Sequence, residues 1–366
     1  MSINEIIMYI MVIFMIIGAV DKCIGGKFGF GEKFEEGIMA MGSLALSMVG
    51  IITLAPILAN ILSPVIVPLY TAVGADPSMF ATTLLACDMG GFALAQQMAQ
   101  STEAGLFAGI ILGSMMGPTI VFTIPVALGI IEKEDQKYLA QGVLSGIITI
   151  PLGCLAGGLA AGLPISMILV NLIPIVVVAV LIIIGLLLIP EGMIKGFTVF
   201  GKIVVIAAIF GLVVGAIQQL VGITLIEGIA PTSEGIQVVG GIALTLSGAF
   251  CLVHFITKVF NKPLMALGKV LGMNEVAAAG LVATLANNIP MFQMMKDMDT
   301  RGKIINVAFS VSAAFVFGDH LGFTAGVAQD MIFPMIVGKL VGGVTAIFVA
   351  IFMAGRIAKK EAAENA

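Results

Sequence analysis

The chain has 366 residues, of which 60% are hydrophobic and 10% charged, with a formal net charge of −4 and a mean hydropathy of +1.17. Soluble domains carry about 45–50% apolar and about 25% charged residues, so a soluble globular domain is excluded. No basic face alternates with aromatics, which removes nucleic-acid partners. Apolar runs long enough to cross a hydrocarbon core of about 30 Å as helices recur along the whole chain, and the expected fold is an all-α polytopic membrane protein rather than a barrel.

Taken in chain order, residues 3–20 read as a first span. Residues 1–5 carry no Lys or Arg and no small-residue cleavage site precedes Asp21, so a signal peptide is not expected. GGKFGFGEK, from Gly25, lacks the Lys-Ser/Thr ending of a phosphate loop and follows a span, so it reads as a connecting loop. The stretch LLACDMGGF at 84–92 sets an aspartate and two glycines inside apolar sequence. Gly117-Pro118 and Pro125 predict a bent helix. Residues 164–189 form an extra apolar span. His254 reads as an interfacial residue near a helix end, and FGDHLGF places Asp319 and His320 inside the penultimate apolar stretch, with Asp330 at its end. Cys23, Cys87, Cys154 and Cys251 lie far apart, and with two histidines in the chain neither a metal site nor a disulfide framework is expected. No cofactor motif is present. The abundant methionines suit adaptable packing.

Four stretches recur in the same order at an offset of about 200 residues. IIGAV ending at Val20 matches VVGAI ending at Ile217, and GSLALSMVG from Gly42 matches GGIALTLSG from Gly240. LACDMGGF from Leu85 matches LANNIPMF from Leu285, and GCLAGG from Gly153 matches GKLVGG from Gly338. The organisation expected is a repeat unit over 1–163, a connecting transmembrane helix and cytoplasmic loop over 164–197, a second repeat unit over 198–356 and a cytoplasmic tail over 357–366.

At matched positions both units carry polar residues beside helix breakers: Asp88 with Gly90 and Gly91, and Asn287 and Asn288 with Pro290. About ten helical residues flank the first break on each side. They rise only about 15 Å, half the hydrocarbon thickness, so each break predicts a re-entrant hairpin. Charge separates this from a single kinked crossing. With two hairpins, the loops bearing Lys22, Lys27 and Lys33, then Lys133 and Lys137, Lys195 and Lys202, Lys258, Lys262 and Lys269, then Lys296, Arg301 and Lys303, and the tail with Arg356, Lys359 and Lys360, all fall inside. Loops 64–77, 97–104 and 221–235, with no Lys or Arg, fall outside. The N-terminus is then outside and the C-terminus inside the cytoplasmic membrane. About nine full spans and two hairpins form an inverted repeat whose breaks meet near the midplane, where secondary transporters bind substrates.

A carboxylate at that depth costs at least about 2.5–3.5 kcal/mol, which makes Asp88 the leading candidate. Its structural alternative is a cap on the free amides of its own broken helix. Asn287 and Asn288 could hydrogen-bond a ligand or simply join helices. Asp319 and His320 could relay protons, or form an outer-end pair in contact with water. Phe92 and Phe292, just beyond the two breaks, could add cation–π attraction or pack in the core.

FEEGIMAMGSLALSMVG, ADPSMFATTLLACDMGGFALA, ILGSMMGPTIVFTIPVALGIIE and TLANNIPMF resemble the EutH family of ethanolamine-utilisation membrane proteins, and the resemblance runs over nearly the whole chain. It implies transport of ethanolamine across the cytoplasmic membrane to ammonia-lyase machinery in a bacterial microcompartment. Ethanolamine is a small ammonium alcohol, so a site needs an anionic or carbonyl-rich partner for the cation and a hydrogen-bonding partner for the hydroxyl. Asp88 and broken-helix carbonyls could supply the first, Asn287 and Asn288 the second. The expected partners are this small molecule and the lipid bilayer, with a homo-oligomer left open. An ion-coupled permease for another small polar or cationic metabolite is the alternative. A membrane-embedded enzyme is disfavoured, because metal-hydrolase and nucleophile-elbow motifs are missing.

Overall fold

The computed structural model describes residues 1–364; of the tail at 357–366, the last two residues lie outside the described residues. The side chains of 260–262, 264, 267, 269 and 356–364 also lie outside them, including the expected inner-side cations Lys262, Lys269, Arg356, Lys359 and Lys360. The helices are α1 (Ile3–Cys23), α2 (Phe30–Thr71), α3 (Ser78–Leu84), α4 (Gly91–Met98), α5 (Thr102–Ile130), α6 (Lys133–Ala160) and α7 (Ile165–Leu188). They continue as α8 (Pro190–Val221), α9 (Thr232–Val270), α10 (Glu275–Ala286), α11 (Asn288–Met294), α12 (Thr300–Ala313), α13 (Asp319–Val327) and α14 (Ile332–Glu364). Among the described residues there is no strand, and eight helices are long and apolar enough to cross a membrane. The chain is a multi-pass membrane protein. About nine full spans are expected, and the penultimate apolar stretch, with Asp319 and His320, is split into α12 and α13 by an irregular stretch around Phe315.

Outward-facing apolar side chains concentrate on α1, α7 and α8, where Ile13, Val177, Leu181 and Ile206 are all more than half exposed. Lipid rather than protein suits such a surface. The loop after α1 is held by Asp21, whose carboxylate accepts from the amides of Phe28 at 3.0 Å and Gly31 at 2.8 Å. The glycines there therefore make a fixed turn.

Both broken segments fold back on themselves. Asp76, ahead of α3, accepts from Ser78 N at 2.9 Å and from Gln100 N at 2.9 Å, tying the start of the α3–α4 segment to its end. Asp299, after α11, accepts from Asn274 N at 2.8 Å, and the Asn274 side chain donates to Asp297 O at 2.9 Å. The second segment is thus closed at its base in the same way. Each break is then held by a break in the helical stretch that follows. Cys87 N donates to Gly113 O at 2.8 Å. Phe315 N and Phe317 N donate to Thr284 O at 3.2 Å and Leu285 O at 2.9 Å.

The closest helix contacts also come in matched pairs. Gly117 lies against the Leu85 carbonyl and Gly318 against that of Ala286, too close for any side chain. Gly50 meets the Ala208 carbonyl, and Gly248 that of Met11. Helices α6 and α14 cross where Gly153 and Gly338 touch each other's carbonyls, and Thr149 Oγ1 donates to Gly342 O at 2.9 Å beside them. Small residues with a few polar bonds are how helices associate in lipid.

Candidate substrate site

The turn between α3 and α4 builds the site. Leu85 and Ala86 are extended, Cys87–Met89 make one tight turn, and Gly90 has φ +82°. A side chain at Gly90 would overlap Ile51, and a Cβ at Gly91 would stand 2.6 Å from the Ala86 carbonyl oxygen. Both glycines are therefore required by space. The turn delivers Asp88 into a cavity of about 200 Å³ shared with Ser43, Ser47, Phe122, Phe315, Asp319 and His320. Two wider-than-α turns border it, at Ala45–Val49 and Thr119–Thr123, a feature common at functional sites.

His320 is buried, with Nε2 3.8 Å from Asp88 Oδ1. Its Nδ1 lies 3.0 Å from Lys339 Nζ, which also donates to the carbonyl of Ser114. An ammonium has only donors, so Nδ1 accepts and the ring proton belongs on Nε2, facing Asp88. Lys339 is 1% exposed. Phe315 has φ +64°, alone in that region among the described non-glycine residues, a conformation costing about 1–3 kcal/mol. Its ring lies 5.1 Å from the His320 ring and 5.7 Å from that of Phe122. The hydroxyls of Ser43 and Ser47 donate to their own helix at Ala40 O and Leu44 O, which leaves their lone pairs free to accept.

A second cavity of about 200 Å³ is lined by Ala286 and Asn287 from the other break, with Lys33, Glu36, His254 and again Asp319. A third, of about 390 Å³, holds Cys87, Phe92, Gln96, Glu234 and Phe323. Cys87 and Asp88 are neighbours in sequence yet line different cavities, so the tight turn is the partition between them.

Of the residues singled out in the sequence, the structure brings Asp88, Asp319 and His320 together. Of the Asp319–His320 pair, His320 is buried at 2% exposure while Asp319 is half-buried and faces the cavity space. Asn287 lines the adjoining cavity and caps α11, accepting from Ile289 N at 2.8 Å. Asn288 is fully buried and donates to Thr123 Oγ1 at 3.0 Å, joining helices instead. One cavity spanning Asp88 and both asparagines is therefore corrected to two that meet at Asp319. Phe92 stands edge-to-face with Phe323 at 5.7 Å in the third cavity, and Phe292 is packed in the core at 1% exposure. Pro290 sits in the first turn of α11, where a missing N–H costs nothing, and the break itself falls at Asn287, with φ −156° and ψ 137°. Asp330 is exposed.

Sequence reasoning missed Lys339. It stands within an apolar span, in GKLVGG, and an ionisable residue there is a site candidate by default; that signal was available. Cys87, Asp88 and His320 also bring possible metal-donor atoms within 4.8 Å of one another. The Lys339 ammonium on the far side of the same imidazole argues against a divalent ion there, since the two charges would share one ring.

The family model "Ethanolamine utilisation protein, EutH" matches residues 3–353. A protein of Listeria monocytogenes named "Probable ethanolamine permease EutH" is 77% identical over 365 residues, covering 100% of this chain and 98% of its own. Proteins of the same name from Escherichia coli and Salmonella typhimurium are 55% and 54% identical, covering 96% and 100% of this chain and 96% and 98% of theirs. No solved structure matches. With the family model and relatives of this identity spanning nearly its whole length, the chain belongs to the EutH family of ethanolamine utilisation proteins.

Proposed function

We propose that the protein is a permease, not an enzyme, that carries ethanolamine across the cytoplasmic membrane, and that the cavity at Asp88 binds it. The observation that carries this reading is the lining of that cavity: two carboxylates, Asp88 and Asp319, with the rings of Phe122 and Phe315 and the acceptor hydroxyls of Ser43 and Ser47. Carboxylates and aromatic faces attract an ammonium, and a serine oxygen accepts from the alcohol. The relatives' shared name, probable ethanolamine permease, agrees with that chemistry.

The architecture that suits this role is an inverted repeat of units 1–163 and 198–356, with two re-entrant hairpins, the N-terminus outside and the C-terminus inside. Its support is the paired contacts at Gly50 and Gly248, at Gly117 and Gly318, and between Gly153 and Gly338. Further support comes from α6, roughly 42 Å long. Its start is tied through Asp135 to Lys303, near the base of the second hairpin, at 2.5 Å. Its end runs into α7, whose Asn171 accepts from Asp76 N, at the base of the first, at 2.7 Å.

The test is uptake of labelled ethanolamine by proteoliposomes, with and without imposed proton and sodium gradients. Saturable uptake, lost on Asp88→Asn, is expected. No uptake by a folded protein would remove the reading, and uptake of a different small cation in its place would favour the permease for another metabolite.

A further inference from the structure

We propose that Lys339 is a built-in competitor for the substrate: its ammonium, on the far side of the His320 ring, offsets the charge of Asp88 before ethanolamine arrives, and the substrate's own ammonium must bind against it. The inference rests on the reading of the Asp88 cavity given above.

Three observations carry it. First, Lys339 is 1% exposed, and the groups on its Nζ are the Ser114 carbonyl and His320 Nδ1, both neutral acceptors. A buried ammonium with neutral partners gains from an anion close by. The carboxylate across the imidazole is Asp88, whose Oδ1 lies 3.8 Å from Nε2, beyond a hydrogen bond but close enough for its charge to act. Second, packing does not demand the lysine. The internal repeat aligns Lys339 with Cys154, and each follows the glycine, Gly338 or Gly153, at which α14 and α6 cross. Cys154 is fully buried and uncharged, so the same crossing tolerates a neutral side chain on the other half. Third, the sign of the electrostatics is fixed. A resident cation beside a cation site opposes binding, and one unit charge several ångströms away at an effective dielectric near 20 changes affinity roughly tenfold or more.

Lys339 is thus a positioning residue that keeps the site from holding its cargo too tightly. Without it, ethanolamine should bind better and leave more slowly. A merely structural lysine would give the opposite when removed, a looser site.

The experiment measures equilibrium binding and flux of labelled ethanolamine with the full-length protein in proteoliposomes. Lys339→Gln, Lys339→Met and Lys339→Cys, the last copying the matched position, are expected to bind about tenfold more tightly while their maximal flux falls. Lys339→Arg should keep wild-type affinity within about twofold, because the charge remains. Unchanged or weaker binding by the folded neutral variants overturns the proposal. So does a failure of all three to fold, since that would make Lys339 a structural requirement. A wild-type protein that binds no ethanolamine refutes the reading of the cavity's substrate instead, and methylammonium binding by the same variants then reads the competition by itself.

Discussion

Gly153 and Gly338 oppose one another reciprocally: a Cβ on the first would stand 2.7 Å from the carbonyl oxygen of the second, and a Cβ on the second 2.9 Å from that of the first. A contact in which residue i meets j as j meets i is what the proposed inverted repeat would place on its axis. Here it falls on residues that the internal repeat aligns, about 185 positions apart.

The crossing is consequently intolerant of bulk. Gly338→Ala is expected to destabilise the protein by about 1–3 kcal/mol, because helix backbone rather than a flexible side chain must move. Gly241→Ala, where nothing lies within 4 Å of the added carbon, should be neutral or gain up to about 1 kcal/mol from helix propensity. Unfolding of both variants in detergent makes the comparison, and equal effects would remove the crossing's special role.

The hairpin bases give a second expectation. Asp76 accepts from backbone amides at both ends of its segment, Asp299 accepts from Asn274 N at the start of its segment and from Gly302 N in the first turn of α12, and hydrogen bonds to a charged acceptor contribute about 1.5–3 kcal/mol. Asp76→Ala and Asp299→Ala should each lower stability by about that amount and raise amide exchange locally, Asp76→Ala in the α3–α4 segment and Asp299→Ala in the α10–α11 segment and the first turn of α12. Exchange spread evenly over both hairpins would show that the clasps are not local.

Orientation can be read directly. In a background lacking the four cysteines, Glu103→Cys is expected to react with an impermeant maleimide added to intact cells, and Lys296→Cys only after permeabilisation. Glu103 lies beside the lysine-free base of the first hairpin and Lys296 at the end of the second, and both are exposed. Equal reaction from outside would defeat opposite entry of the hairpins.

For transport itself, Asp88→Asn should reduce ethanolamine uptake at least tenfold, whereas Asp330→Asn should leave it within about twofold. Asp88 lines the cavity shared with Asp319 and His320, whereas Asp330 is exposed beside the start of α1. A site carboxylate that binds a cation is worth more than 1.4 kcal/mol, the equivalent of one decade. Equal uptake by equally abundant variants would make Asp88 structural.

How much of this could be read from the chain varies with the kind of signal. Helical class and many spans follow from composition, and the pairing of polar residues with breakers at 88–91 and 287–290 locates both interruptions because glycine and proline act locally. Even so, the second interruption settles at Asn287, since Pro290 is comfortable in a first helical turn. What was not legible depends on contacts far apart in sequence. Asn288 finds Thr123 across 165 positions, and Lys339 finds Ser114 across 225. The apolar span around GKLVGG marks its lysine as a candidate, but nothing local names the partners it finds. Asn287 and Asn288 are adjacent and chemically identical, yet the direction of one helix start sends the first toward a cavity and the second into a dry interface.

Asp319 belongs to the walls of two cavities at once, the one holding Asp88 and the one holding Asn287. On the proposed reading of the site, a cation crossing between them need not travel naked. It can loosen its hold on Asp88 while still gripping Asp319, and turn toward Asn287 and Glu36 before letting go, so that at every step at least one carboxylate stands in for lost water. Since stripping an ion of all partners in such surroundings costs several kcal/mol, a shared carboxylate works as a handrail. It divides one steep climb into two shallow ones, which is what rapid passage of a small charged alcohol through an apolar barrier demands.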